Sequence, residues 1–192
     1  MADAARFLSR YGILVVLALL ILFNLAVTPN FATLQTLNVN LTQMVMIVIV
    51  GVGMTLVIAT GGIDLSVGSL MAIAGATAPL IFLGSLFPLT HPLLGVGLAF
   101  VLPVLLAGLF GMFNGWLITR FGIQPIIATL VLFIAGRGIA QVSTNGNLQV
   151  FKQPEFQWIA LGKILGIPFQ VYLMIAIVAL AAWMLRRTVF GR

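Results

Sequence analysis

The apolar positions of this chain fall into six long runs, separated by short polar or proline-containing stretches. The runs cover about residues 12–28, 41–60, 67–87, 93–118, 125–142 and 168–185. A helix needs about 20 mostly apolar residues to cross the roughly 30 Å hydrocarbon core of a bilayer, and each run meets or approaches that length. Strands fit poorly, because the runs do not alternate and an open sheet would leave backbone groups unpaired in lipid. The pattern predicts an all-α, polytopic transmembrane helical bundle with about six membrane helices.

The composition excludes several classes of protein. Hydrophobic residues make up 62% of the chain and charged residues only 6%, whereas soluble domains have about 25% charged residues. Residues 11–63 and 65–119 contain no Asp, Glu, Lys or Arg. Because a soluble fold could not cover its surface with so few charges, a soluble globular protein, a disordered tail and a nucleic-acid-binding protein are excluded. Membrane lipid is the expected surrounding, and nucleic acid is not an expected partner.

The chain offers few residues for metal or cofactor chemistry. It has no Cys and a single His, His91. A thiolate metal site, a Cys nucleophile and a multi-His metal site are therefore excluded. We expect no metal site and no cofactor in this chain.

The positive charges predict the orientation of the helices. With the N-terminus in the cytoplasm, the cytoplasmic segments hold Arg6, Arg10, Arg120, Arg186, Arg187 and Arg192. The outer segments hold only Lys152 and Lys163. This bias agrees with the positive-inside rule. We also expect an uncleaved first membrane helix rather than a signal peptide, because the run at 12–28 exceeds the usual h-region of about 7–15 residues.

The one long connection covers residues 143–167 and is polar. Connections longer than about 12–15 residues are often functional or mobile. This one is either a loose outer loop or a docking surface for a partner outside the cytoplasm, and the sequence favours neither.

The junction between the second and third runs is the most unusual stretch of the chain. Gly61 and Gly62 can end the second helix in a left-handed conformation, and Asp64 or Ser66 can cap the third. Asp64 is also the only acid between Asp3 and Glu155. Ionisable groups near membrane depth often mark transport pathways, and glycine-interrupted helices are typical of transporter sites. A cap and a gating role are compatible, so both interpretations stand.

Two further polar residues interrupt apolar runs. Arg137 follows Pro125 by about 18 Å of helix, so it either extends to the lipid headgroups or faces a polar interior. The glycines on both sides of Arg137 would let another helix approach closely. Asn114 is either a packing residue or a contact in a polar pathway. Asp64 and Arg137 start from opposite faces of the membrane, so no direct pair between them is expected. A 61–66 segment that dips into the membrane would shorten the gap, and the sequence does not decide between these arrangements.

Small residues recur every four positions in the fourth run, at Ala107, Gly111 and Gly115. This spacing predicts a ridge for close helix packing, beside Asn114.

Several blocks of the sequence together resemble the permeases of bacterial ABC-type sugar importers. The first is Thr60-Gly61-Gly62-Ile63-Asp64-Leu65-Ser66-Val67-Gly68-Ser69. Further blocks are Phe113-Asn114-Gly115, Ile123-Gln124-Pro125, Ala128-Thr129-Leu130 and Ala135-Gly136-Arg137-Gly138. Their order and spacing fit the family of ribose, galactose, xylose and galactofuranose permeases, and the third and last blocks look most like the galactofuranose type.

The resemblance implies a division of labour in the bacterial inner membrane. A periplasmic sugar-binding protein delivers a monosaccharide, two permease subunits form the pathway, and a separate ATPase subunit drives alternating access. The chain lacks the G-x-x-x-x-G-K-[ST] loop that binds ATP phosphates, which agrees with this arrangement. Asp64 and Ser66 are then expected to order the inner junction, and Asn114 and Arg137 to be polar interior positions.

Members of this family continue past a Phe-Gly-Arg like residues 190–192 into a cytoplasmic segment that contacts the ATPase. We therefore expect one transmembrane permease domain over residues 1–192 that lacks the family's C-terminal helices. The alternative is an inert membrane fragment or assembly partner without transport activity. A membrane enzyme ranks third, because no catalytic constellation is present.

Overall fold

The computed structural model describes residues 2–85, 92–150 and 154–191, and this part of the chain is almost entirely helical. Its α-helices are α1 (Ala2–Val27), α2 (Leu34–Ala59), α3 (Val67–Phe82), α4 (Pro92–Phe121), α5 (Pro125–Ser143), α6 (Pro154–Leu161) and α7 (Phe169–Arg187). Two short strands, β1 (Lys163–Ile164) and β2 (Ile167–Pro168), lie between α6 and α7, and a 3-10 turn (Val189–Gly191) follows α7.

The long helices have the length and apolarity of membrane spans. Within the described residues, four helices qualify by both criteria, at Leu34–Ala59, Leu94–Phe121, Pro125–Ser143 and Phe169–Arg187. Tyr11–Val27 and Val67–Phe82 are shorter apolar helices. Large apolar side chains remain exposed along them, for example Leu109 (57%) and Ile134 (66%). Such surfaces suit lipid and not water. The predicted helical membrane fold is confirmed, while the count of six spans and the cytoplasmic N-terminus stay predictions.

The ends of the helices follow from glycine and proline. Gly61, with φ of +79°, ends α2, since Gly61 N–H donates to Ile58 O (2.9 Å) and Gly62 N–H to Val57 O (3.1 Å). These two bonds form a Schellman motif, so the left-handed end predicted for this helix is confirmed. Pro125 begins α5, where its missing N–H costs no helical hydrogen bond.

The third helix is shorter than the sequence predicts. The apolar run extends to about residue 87, but α3 ends at Phe82. Gly84, with φ of +68°, turns the chain, and Ser85 N–H donates to Leu80 O (3.0 Å). The local backbone therefore ends the helix within an apolar run. Residues 86–91, including the predicted turn at His91, lie outside the described residues.

The connection at 143–167 contains regular structure that the sequence does not predict. Besides α6, β1 and β2 pair antiparallel, and Leu165 (φ 51°) and Gly166 (φ 81°) form the two-residue turn between them. Two positive φ values are what a tight hairpin turn of this length requires. Tyr172 Oη donates to Ile164 O (3.0 Å), and the Trp158 ring lies 5.1 Å from that of Phe169. The hairpin and α6 are thus fixed to the start of α7.

The chain divides into two compact units, Met1–Met44 and Val45–Arg192. In the first, the turn between α1 and α2 is held by threonine side chains, since Thr33 Oγ1 and Thr36 Oγ1 each donate to Asn30 O (3.0 Å). In the second, α3 packs against both α4 and α5. Its core is formed by Ile73, Ala76 and Ala140, with Phe110 packed against them.

The contact between α3 and α5 is close because one side is a glycine. A methyl group on Gly136 would lie 2.9 Å from Ser69 Cβ and 3.3 Å from Ile73 Cδ1. Ser69 is fully buried, and its Oγ lies 2.7 Å from Ser66 O and 3.1 Å from Leu132 O. We call the four residues Ser69, Ile73, Leu132 and Gly136 the α3–α5 seam. The close approach predicted at Gly136 is confirmed, whereas a methyl group on Gly138 would meet nothing within 4 Å.

Candidate functional site

The junction between α2 and α3 is organised by one carboxylate. Asp64 Oδ1 accepts a hydrogen bond from Ser66 N–H (2.7 Å) and another from Ser66 Oγ (2.6 Å). Ser66 holds the N-cap position of α3, but its side chain makes no capping bond. Asp64 therefore orders the residue that precedes α3, but neither Asp64 nor Ser66 makes a side-chain bond to an N–H of the first helical turn. The helix cap predicted at Asp64 or Ser66 is not formed, and the gating role of Asp64 stays a prediction.

The junction also contacts the start of α5. Thr129 Oγ1 lies 2.8 Å from Pro125 O and 3.4 Å from Ile63 O. Thr129 is 3% exposed. The junction is thus linked to α5 through this threonine and to the α3–α5 seam through Ser66 O.

A cavity of about 390 Å³ lies between the junction, α4 and the start of α5. Its polar and glycine lining includes Thr60, Gly61, Gly62, Asp64, Asn114, Thr119 and Thr129. We call it the Asp64 cavity. Its volume falls within the range of small-molecule sites, about 300–1,000 Å³. The structure therefore brings four of the predicted site residues, Gly61, Gly62, Asp64 and Asn114, to one space.

Asn114 is the most unusual of these residues. It is 6% exposed, and its buried Nδ2 has no hydrogen-bond partner in the described part of the chain. An unsatisfied buried amide donor costs about 1–3 kcal/mol of stability. Such groups usually bond an ordered water or another molecule.

The small residues of α4 border the same cavity. Gly111 and Gly115 line it, and a methyl group on either would meet nothing within 4 Å. No close helix contact is therefore made at these two glycines by the described chain. The packing role predicted for Ala107, Gly111 and Gly115 stays a prediction.

Arg137 lines a different cavity, of about 360 Å³, at the other end of α5. Its polar neighbours there are Gln141, Thr144, Asn147 and Gln149. The Arg137 guanidinium carbon lies 5.3 Å from the centre of the Phe133 ring, at a distance typical of a cation–π contact. Ala72, Gly75 and Ala76 of α3 also line this cavity, about 8 to 14 Å along the helix from Val67. The α3–α5 seam lies between the two cavities, so Asp64 and Arg137 belong to separate spaces.

Two buried hydroxyl residues, Ser69 and Thr129, were not predicted as site residues. The sequence offers two signals for them, since both are polar side chains within apolar helices and both stand in blocks that resemble the sugar-importer permeases. Among the described residues, no group of three or more His, Asp or Glu side chains could hold a metal ion.

Comparison with known proteins shows the family of the chain. A family model described as "branched-chain amino acid transport system / permease component" matches residues 35–192. The chain belongs to this permease family. The permease is 41% identical over 147 residues to the galactofuranose transporter permease protein YtfT of Escherichia coli (strain K12), covering 76% of this chain and 40% of that protein.

Two more relatives are also permeases of sugar importers. The ribose import permease protein RbsC of Escherichia coli (strain K12) is 39% identical over 185 residues, covering 93% of this chain and 54% of that protein. The fructose import permease protein FruF of Bifidobacterium longum (strain NCC 2705) is 39% identical over 146 residues, covering 74% of this chain and 39% of that protein. These relatives confirm the family that the sequence motifs predict. The permease spans about two fifths to one half of their lengths, and no solved structure matches it.

Proposed function

We propose that the permease is the membrane subunit of an ATP-binding-cassette importer that moves a monosaccharide across the bacterial inner membrane by alternating access. The names of its relatives support a sugar as the solute, although the family model is described by branched-chain amino acids. We assign ATP hydrolysis to a separate subunit, and the printed sequence contains no ATP-phosphate loop. The other partners are a second permease subunit and a periplasmic sugar-binding protein.

The Asp64 cavity is the observation that carries this proposal. It lies where two apolar helices are interrupted, and it combines a carboxylate, an amide and hydroxyl groups in a chain with 6% charged residues. Intramembrane polar groups are costly, and they persist where they face a solute path.

The way the junction is held suits alternating access. Residues 61–66 lie outside both helices, and Asp64 holds the start of α3 through two hydrogen bonds to Ser66. Exchange of a few local hydrogen bonds for others would let α2 and α3 change their relative direction. Hinges of this kind are short segments at helix ends. Asp64 and Ser66 therefore order the gate in one state, and Arg137 is a polar position in the second cavity.

Two measurements test the proposal. The permease, expressed in its native genetic context and purified in detergent, is expected to retain an ATPase subunit, whereas an inert membrane fragment would retain none. Cells that carry Asp64→Asn or Arg137→Ala are expected to import labelled monosaccharide more slowly at unchanged permease abundance. Normal import by both variants would contradict the roles assigned to these residues, and absence of an ATPase would contradict the importer.

A further inference from the structure

The cavity beside Arg137, which we call the Arg137 cavity, contains a positive charge without a counter-charge. Among the described residues that line it, Arg137 is the one ionisable side chain. Its guanidinium faces the Phe133 ring, and within the described ranges it makes no ion pair and no hydrogen bond. A cation on a membrane helix is costly unless a polar or anionic group meets it. The cavity therefore calls for an acceptor that the described chain does not supply.

Polar groups continue from Arg137 toward the end of α5. Gln141 and Thr144 follow Arg137 by four and seven residues, which places all three on one face of the helix, and all three line the cavity. The side-chain amide of Gln141 has no hydrogen-bond partner in the part of the chain that the structure describes. The described lining thus offers N–H donors from Arg137 and Gln141 and no carboxylate. Such a donor set suits an anion with several oxygens.

Apolar side chains occupy the same face of α5 on the other side of Arg137. Ile126, Leu130 and Ile134 precede it by eleven, seven and three residues, and helical spacing puts them on the Arg137 face. They are 40%, 43% and 66% exposed. From Ile126 to Arg137 the helix rises about 16 Å, which is close to half of a hydrocarbon core of about 30 Å. One helix face therefore combines a cationic end with an apolar stretch as long as one lipid leaflet.

We propose that the Arg137 cavity binds the phosphate of an anionic phospholipid, whose acyl chain lies along Ile126, Leu130 and Ile134. The Arg137 guanidinium donates to the phosphate oxygens, a pairing that arginine makes with two parallel N–H groups. The Gln141 amide donates to a second oxygen of the headgroup. Basic pockets between membrane helices are suited to anionic headgroups. This lipid site goes beyond the proposed function and does not depend on which solute is moved.

The depth and the walls of the cavity agree with a headgroup site. Arg137 lies six residues, about 9 Å, before the end of α5 at Ser143. Long basic side chains extend from such depths to the headgroups. On the α3 side the wall is made of the small residues Ala72, Gly75 and Ala76. The space of about 360 Å³ is many times the roughly 30 Å³ that one water occupies.

A free anion or a carboxylate of another protein could also meet Arg137. Neither of them would make use of the apolar stretch on the same helix face, because neither carries a chain of apolar groups. The continuity of the polar and apolar parts on one face of α5 therefore favours the phospholipid. The other two occupants are outcomes of the test.

Native mass spectrometry of the assembled transporter tests the site, because it resolves bound lipids and subunits together. The delipidated complex is titrated with palmitoyl-oleoyl phosphatidylglycerol or with the matching phosphatidylcholine. We expect phosphatidylglycerol to bind at lower concentration than phosphatidylcholine. Arg137→Gln should raise the phosphatidylglycerol concentration for half-occupancy about 10-fold, the change expected for loss of a hydrogen bond to a charged group.

Two further variants separate the site from general charge effects. Arg120→Gln removes the same charge from an exposed position at the end of α4, and it should leave the tightest phosphatidylglycerol binding unchanged. Arg137→Lys keeps the charge but not the paired N–H groups, so its loss should be smaller than that of Arg137→Gln. Inorganic phosphate at millimolar concentration should not displace the lipid.

Four outcomes overturn the lipid site. They are equal binding of the two lipids, unchanged phosphatidylglycerol binding in Arg137→Gln, the same loss in Arg120→Gln, and displacement of the lipid by inorganic phosphate, which would assign the cavity to a free anion. Dissociation of another subunit in Arg137→Gln, with lipid binding unchanged, would assign Arg137 to a protein carboxylate. These outcomes are separable from the proposed function, since none of them depends on sugar import.

Discussion

Replacement of Gly136 by Ala should destabilise the permease, because the added methyl group has no room in the α3–α5 seam. Its Cβ would lie 2.9 Å from Ser69 Cβ and 3.0 Å from Ser69 Oγ. Ser69 cannot turn away without loss, since it is fully buried and its hydroxyl lies 2.7 Å from Ser66 O. Overpacking of this kind costs about 1–3 kcal/mol.

Gly138→Ala is the matched control on the same helix. A methyl group at Gly138 meets nothing within 4 Å, and alanine in place of a helical glycine stabilises by up to about 1 kcal/mol. Thermal unfolding in detergent is followed through the fluorescence of the three tryptophans. The midpoint temperature should be lower for Gly136→Ala and unchanged or higher for Gly138→Ala.

A double-mutant cycle isolates the contact itself. Ser69→Gly removes both atoms that the new methyl group meets first, so Gly136→Ala should cost less in that background than in the native one. The reasoning is refuted if Gly136→Ala is as stable as Gly138→Ala, or if its cost is the same with and without Ser69.

Two other substitutions follow from the hydrogen bonds and backbone of the same region. Ser69→Ala should lower the free energy of unfolding by about 0.5–1.5 kcal/mol, because Ser66 O and Leu132 O lose a hydroxyl donor. Ser143→Ala is the control, because the Ser143 hydroxyl bonds Ala140 O of its own helix, and its unfolding temperature should be nearly unchanged. Equal shifts in unfolding temperature for the two variants would contradict the role of Ser69 in the seam. Gly61→Ala should cost about 1–2 kcal/mol because φ is +79°. Gly62→Ala, where the nearest contact is an ordinary 3.4 Å, should cost less, and the reverse order would contradict the Schellman end of α2.

The positions of the long helices could be predicted because membrane spans depend on local sequence. Each of the six apolar runs overlaps one helix among α1 to α5 and α7, although α1 and α2 begin about 10 and 7 residues before their runs. Pro125 begins α5, and Gly61 ends α2. The end of α3 could not be predicted from apolarity, since Gly84 turns the chain inside an apolar run. The helix α6 is short, and eight residues carry too little periodicity to separate a helix from a loop.

Two residues that line the Asp64 cavity could be recognised from the sequence, but the cavity they share could not. Asp64 and Asn114 were recognisable because polar groups are costly within apolar runs. That they line one cavity depends on how α4 packs beside the junction, and residues fifty positions apart carry no local signal of such a contact. The same holds for Ser69 and Gly136, whose contact requires α3 and α5 to meet in one register.

The central claim is that the Asp64 cavity lies on the path of the solute through the permease. The most direct test is ATP-dependent uptake of labelled monosaccharide by the complete transporter in proteoliposomes, before and after a bulky maleimide reacts with Thr119→Cys. The cysteine-free parent is the control for the reagent. Blocked uptake in the variant, with normal uptake in the parent, is the predicted result; full uptake through a transporter whose cavity is filled would contradict the account.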